Sequence, residues 1–357
     1  MSLLYDFASE EVRELAKRVY LRQFEMDPKL NDELSDHRKL SMFKDVLYNL
    51  SYLEIALEFE DDAIFTDYAI WIYQLLFHLM KDFPPERVCE FMVDHYRLLN
   101  ESLQTFYPSE KASNTDRILT KAIATTLSEV NNQHAYSFVN IGDFQQLKSE
   151  YLEYMLKGNT RQAIDVILRA VQSGIGVEDI YIHVFKDVMY EVGNLWHQNK
   201  ISIDNEHYCT SVTQMAIAQF YSLIFDRPRN GHKVLTCCVG SELHEMGIRM
   251  VSDLFEYDGW DSHYLGAAVP KEAILQSIKD FQPELVCLSV TMPHHLHLCH
   301  DIVNGIKERF PEIKIAVGGQ AINKSGRLWE KWHVNYSSAS APELIRWADG
   351  ELIGAQV

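Results

Sequence analysis

Apolar positions recur at three- and four-residue spacing through most of the first 225 residues, the pattern of amphipathic helices. LSMFKDVLYNLSYLEIALEF, FTDYAIWIYQLLFHLM and PPERVCEFMVDHYRLLNESL predict helices within residues 1–106, the third opening at Pro84 and Pro85. The acidic run Glu58, Glu60, Asp61, Asp62 between two of them reads as a solvated loop. YPSEKASN at 107–114 is polar and reads as a linker, with a helix following over TDRILTKAIATTLSEV. Four further helices are predicted between about 143 and 225: DFQQLKSEYLEYMLKG, TRQAIDVILRAVQSG, VEDIYIHVFKDVMYEVGNLWHQN and SIDNEHYCTSVTQMAIAQFYSLIF. Gly158 and Gly174 read as their C-caps, Thr160 and Ser202 as N-caps. Short links between amphipathic helices predict an antiparallel four-helix bundle.

After DRPRNGHK the period changes. KVLTCCVG, DSHYLG, ELVCLSV and KIAVGG read as strands, separated by the helical patterns GIRMVSDLFEYDG, KEAILQSIKDF and HLCHDIVNGIKERF. Alternating strands and helices with short links predict a parallel sheet covered on both faces, whose ligands bind at the strands' carboxyl ends. The expected class is therefore α/β plus all-α. A C-terminal Rossmann- or flavodoxin-like sheet (232–357) is preceded by a four-helix bundle (115–225) and an N-terminal all-helical domain (1–106).

Composition narrows the function. The 357 residues suit two or three domains, and 47% apolar with 24% charged residues is ordinary for a soluble globular chain. No apolar run reaches the ~20 residues that span a bilayer, and no leader pattern opens the sequence, so a cytoplasmic protein is expected. The formal net charge of −18, with much of the acidic excess in the first hundred residues, argues against nucleic acid and anionic membranes as partners. The six cysteines lack zinc or redox spacing and read as buried free thiols.

The candidate chemistry begins where the first strand ends, in GSELHEMG. His244 there projects from a strand's carboxyl end, and Glu242 stands two residues away, placed to accept the second ring N–H and fix the tautomer. Gly247 permits close approach of a flat ligand. Downstream come Gly259-Trp260, Tyr264-Leu265-Gly266, Ser289-Val290-Thr291 and Gly318-Gly319-Gln320. In that order these motifs resemble the cobalamin-binding domains of the methionine synthase and methylmalonyl-CoA mutase type, over nearly all of 232–350, with Glu242 where that family has Asp. The resemblance implies His244 as lower axial cobalt ligand. It also implies a slot lined by Ser289, Thr291, Gly318 and Gly319 for the cofactor's nucleotide tail.

The bundle adds WHQNKISIDNEH, in which Trp196-His197 and Glu206-His207 stand in the W-x9-E-H pattern. It resembles the adenosylcobalamin photoreceptors of the CarH type. By that resemblance Trp196 caps the corrin's upper face, Glu206 and His207 line the adenosyl pocket, and His197 ligates cobalt after photolysis. The expected cofactor is adenosylcobalamin, with methylcobalamin as the alternative, and the resemblance allows a bilin as a second chromophore. No nucleophile elbow, P-loop or paired catalytic carboxylates appear, and no DNA-binding module, so a non-enzymatic light sensor is expected. It would signal through a change of domain arrangement or homo-oligomeric state, with a protein partner engaging the acidic N-terminal region. The alternatives are a corrinoid methyl-carrier subunit of a methyltransferase system, which needs an open upper face, and a light-independent cobalamin sensor. The histidines of PHHLHLCH (His294, His295, His297, His300) read as a polar loop and helix start rather than a metal site. The stripe Tyr68, Trp71, Tyr73, Phe77, His78 reads as core.

Overall fold

The structure, a computed structural model, describes residues 10–130, 137–241 and 243–354, Ile353 by its backbone alone. The chain forms two compact units, Met1–His134 with Lys324–Gly326, and Ala135–Asn323 with Arg327–Val357. Among the described residues no helix is long and apolar enough to cross a membrane.

The N-terminal unit is helical: α1 (Glu10–Met26), α2 (Asp36–Glu58), α3 (Asp62–Leu79), α4 (Pro85–Phe106) and α5 (Ser109–Glu129). Its core holds Leu53, Phe65, Tyr96, Leu98 and Leu99, all fully buried. Two sequence expectations need correction here. The 107–114 segment is not a linker, because Pro108 starts a new helix and Ser109 already lies in α5. There Ala112, Thr115, Ile118, Leu119 and Ala122 bury one face while the polar residues between them face water. Nor is the acidic run a solvated loop throughout. Asp61 is buried and caps α3 by accepting from the Ala63 N–H at 3.0 Å, while Asp62 holds Arg117 and Lys121 of α5. From the aromatic stripe, Tyr68 and Tyr73 do enter the core, whereas Trp71 is exposed.

One carboxyl in this unit is strained electrostatically. Burial pushes Asp45 up to about 6, against a smaller opposing effect of Lys44. Its charge acts on Tyr68 and Tyr96, whose buried hydroxyls have no hydrogen-bond partner among the described residues. The folded pKa exceeds the unfolded one, so this destabilisation is absent below about pH 4, grows between about 4 and 6 and is complete above. Asp45→Asn is expected to stabilise the N-terminal unit at pH 8 by about 2–3 kcal/mol. Urea unfolding at pH 8 and pH 4 checks this, with the gain disappearing at pH 4.

The second unit starts with the bundle α6 (Gln145–Leu156), α7 (Thr160–Gln172), α8 (Lys186–His197) and α9 (Ile203–Ala218). A turn at Val177–Asp179 and a π-helical stretch, Ile180–Phe185, run directly into α8. Tyr151, Tyr181, Phe185 and Phe220 fill the core together with Ile180, Val184 and Ile217. Gly158 and Gly174 follow α6 and α7 with φ of +72° and +103°, the left-handed ends predicted for them. Thr160, however, is the first helical residue rather than the cap, and its hydroxyl lies 2.6 Å from that of Tyr208. Lys148 is 0% exposed in its side chain. It donates to the Phe138 and Ile141 carbonyls at 3.2 and 2.6 Å and to Asp187 Oδ2 at 3.0 Å. Buried Glu191 accepts from the Phe138 N–H at 2.8 Å, so the loop entering the bundle is pinned to α8.

The sheet follows: β1 (Lys233–Cys238), β2 (Asp261–Tyr264), β3 (Leu285–Ser289), β4 (Lys314–Gly318) and β5 (Tyr336–Ser337). All pairs are parallel, in the order β2-β1-β3-β4-β5. This is the flavodoxin-like arrangement, with its switch point between β1 and β3. β5 escapes sequence reading because two residues carry no period. The helices α10 (Met246–Tyr257), α11 (Lys271–Phe281), α12 (Leu296–Arg309) and α13 (Ala341–Ala348) cover the sheet. Val234, Cys238, Cys287 and Ala316 pack with Ile248 and Phe255 of α10 and Leu344 and Ala348 of α13. All six cysteines are buried and free. Met250 and Leu254 of α10 join the bundle core instead, so α10 lies between the bundle and the sheet.

Candidate functional site

The loop after β1 leaves the sheet at its switch point. Val239 N–H donates to Ser289 O at 2.9 Å, holding β1 and β3 together where they end. Gly240, at φ +83°, lets the chain turn where a Cβ would lie 2.5 Å from the His295 ring. Its carbonyl accepts from Ala268 N–H at 2.9 Å, and the Cys238 thiol reaches the His244 carbonyl at 3.8 Å. On this tethered loop His244 is exposed, and Leu243 beside it is 83% exposed. Beyond its own helix and chain neighbours, no atom of the described residues lies within 4 Å of where a Cβ on Gly247 would sit. Glu242, the expected acceptor for the His244 ring, lies outside the described residues. The adjacent Glu245 does have a partner, the Tyr264 hydroxyl, which donates to its Oε2 at 3.0 Å. Burial and the Glu245 charge push that phenol far above its ordinary pKa, so it stays a donor.

The four residues expected to line a slot come together at the ends of β3 and β4. Ser289 pairs with Gly318 in register, and Val290 N–H donates to Gly318 O at 3.0 Å. Gly319, at φ +90°, lies so close to β3 that a Cβ would meet the Val290 carbonyl oxygen at 2.3 Å. Ser289 is buried and Thr291 half-buried. Two hydroxyl-bearing residues thus stand at a strand end where the backbones of β3 and β4 are closely packed.

The bundle residues occupy two neighbouring helix ends. α8 finishes at Trp196-His197, both half-buried. The chain turns through Asn199, at φ +53°, and α9 brings up Glu206 and His207 in its first turns. His207 Nδ1 lies 2.7 Å from Glu206 Oε2, and Thr210 Oγ1 donates to the other carboxylate oxygen at 3.2 Å. His207 is exposed and Glu206 half-buried. One turn before Trp196, Gly193 has nothing within 4 Å of a Cβ position. Of the PHHLHLCH histidines, His294 and His295 meet edge to face at 4.2 Å between ring centroids, with His295 also packed on Gly240, whereas His300 stacks on Trp332 at 5.0 Å.

These residues fit a corrinoid. The donor set offers an exposed imidazole at a strand's carboxyl end, suited to a transition metal. The open ground at Gly247 leaves room for a flat ring system, and Ser289 and Thr291 bring hydroxyl groups to the neighbouring strand end. His244 would supply a metal ligand, and Ser289, Thr291, Gly318 and Gly319 would hold the tail. Sequence reading missed the Glu245–Tyr264 bond, although both residues stood in the quoted motifs. Nothing local joins two residues so far apart in the chain.

Comparison with known proteins agrees. Residues 232–336 match the family model described as B12 binding domain, and residues 147–221 match a second model with the same description. Dimethylamine corrinoid protein 1 of Methanosarcina acetivorans is 22% identical over 162 residues, covering 43% of this chain and 76% of that protein. The solved Methanosarcina barkeri monomethylamine corrinoid protein superposes with a TM-score of 0.52 at 17% identity, over 57% of this chain and 97% of its own. The chain thus carries cobalamin-binding domains over 147–221 and 232–336, and its bundle and sheet share the corrinoid-protein fold.

Proposed function

We propose that the chain is a corrinoid-carrying protein whose second unit presents a cobalamin-bound methyl group to a partner methyltransferase. The observation that carries this reading is the exposed His244 on a tethered loop at the sheet's switch point, with open space at Gly247 and a helical bundle before it in the chain. The names of the dimethylamine and monomethylamine corrinoid proteins support methyl carriage. A bound corrinoid supplies reversible carriage of a methyl group on cobalt. The chain's own contribution would be to ligate the metal through His244 and to hold the tail through Ser289, Thr291, Gly318 and Gly319. The N-terminal helical unit is then an added regulatory or partner-binding module.

A second reading, light-driven switching, is favoured by one feature. Trp196 and His197 end one bundle helix while Glu206 and His207 begin the next, so an aromatic cap stands beside an imidazole able to ligate cobalt. One experiment separates the two. The full chain is loaded in the dark with methylcobalamin or adenosylcobalamin and followed by visible spectra and hydrodynamic size. The carrier reading expects the methyl form to give its methyl group to an added thiolate in the dark, and the adenosyl form to keep its size under green light. A size change on illumination that disappears in His197→Ala would replace carriage by switching.

A further inference from the structure

α10 begins immediately after the His244 loop and carries three charged residues at four-residue spacing, Glu245 at its N-cap and then Arg249 and Asp253. That spacing sets them in a row on one face of the helix. Each is held by a tyrosine hydroxyl. Tyr264, at the end of β2, donates to Glu245 at 3.0 Å. Arg249 donates through Nε and Nη2 to the Tyr221 oxygen at 3.3 and 3.0 Å. Tyr181 donates to Asp253 Oδ2 at 3.0 Å. Tyr221 and Tyr181 belong to the helical region, outside the sheet. Tyr181 is fully buried and Asp253 nearly so, which makes their bond costly to leave unmade.

Tyr181 occupies the π-helical stretch that continues without a break into α8. Such stretches distort a helix and tend to stand near functional sites. Along that continuous helix Trp196 lies about 22 Å further on, at 1.5 Å per residue. A shift of α10 against Tyr181 is therefore passed along a stiff rod to the end that carries Trp196 and His197.

We propose that Glu245, Arg249 and Asp253, with Tyr264, Tyr221 and Tyr181, form a polar latch that couples the His244 loop to the helix bearing Trp196 and His197. Its bearing on a corrinoid rests on the reading above, but the mechanical coupling does not. These are positioning residues, acting through α10 and α8 rather than by touching a ligand.

Hydrogen–deuterium exchange on the full chain tests the latch in two arms. In the absence of cobalamin, Tyr181→Phe is expected to speed exchange across 186–197 about tenfold, the effect of losing one hydrogen bond to a charged group. Asp253→Asn, which keeps an acceptor for Tyr181, should stay within about twofold of wild type. Unchanged exchange in Tyr181→Phe, with its melting temperature held, would overturn the latch. In the second arm hydroxocobalamin is added. Wild type should show a histidine-ligated spectrum and new protection at 186–197, and Tyr181→Phe should keep the spectrum but lose the protection. A wild type without that spectrum would sink the cobalamin reading, while the first arm still decides the latch. Equal protection in both proteins would show that coupling does not pass through Tyr181 and would overturn the proposal.

Discussion

Replacing His244 by alanine is expected to abolish the histidine-ligated cobalamin spectrum and weaken hydroxocobalamin binding by about 100-fold or more. Residues that merely orient a metal ligand typically cost 10–100-fold when removed, and the ligand itself sets a larger scale. The rest of the loop should survive the change. Its geometry depends on backbone bonds from Val239 and Ala268 and on the space at Gly240, none of which involves the imidazole. Because His244 is exposed, the variant should also melt within a degree or two of wild type. Titration followed by visible spectra, alongside a thermal melt, gives both readouts. A folded variant that still showed histidine ligation would remove His244 from the site and transfer attention to His197 and His207.

The second large effect is structural. Lys148→Met is expected to destabilise the second unit by about 3–5 kcal/mol, the cost of stripping one partner from a buried ion pair. Methionine has much of the lysine's length and apolar stem, so packing changes little. What is lost is the ammonium that satisfies Asp187 and the carbonyls of Phe138 and Ile141. Asp187 is partly exposed and Lys186 stands 3.9 Å away, so water and that neighbour recover part of the loss and the lower end of the range is expected. Asp187 and Glu191 both sit on α8, which leads to Trp196 and His197, so the freed loop should loosen that helix too. Urea unfolding measures the loss. A change under 1 kcal/mol would mean that the lysine is solvated in the folded protein.

Much of the site was legible because its parts are local. A histidine just past an apolar strand, glycines at two strand ends and a Ser-x-Thr loop can each be placed from the neighbouring periodicity alone. The structure brings Ser289, Thr291, Gly318 and Gly319 to one place, since adjacent parallel strands in register must bring their carboxyl ends together. The misreadings fell where a polar sequence was taken for a solvent-facing one. Residues 107–114 look like a linker, yet a proline followed by helix-forming residues begins α5, and Ala112 with Thr115 is enough to bury its inner face. Asp61 and Asp62 look like a charge run, but one caps a helix and the other binds two cations from α5.

Hydrophobic periodicity by itself determined that helices precede a parallel sheet, and the residue types at the end of the first strand singled out His244. Both are properties of segments a dozen residues long, where side-chain spacing dictates which face is buried. The tertiary structure alone decided the partners: Glu245 with Tyr264, Asp253 with Tyr181, Lys148 with Asp187. Those pairs span 19, 72 and 39 positions of chain. Only the packing of α6, α8, α10, β2 and the π-helical stretch Ile180–Phe185 brings them within hydrogen-bond reach. Once buried there, each polar group had to find a partner because water could no longer supply one.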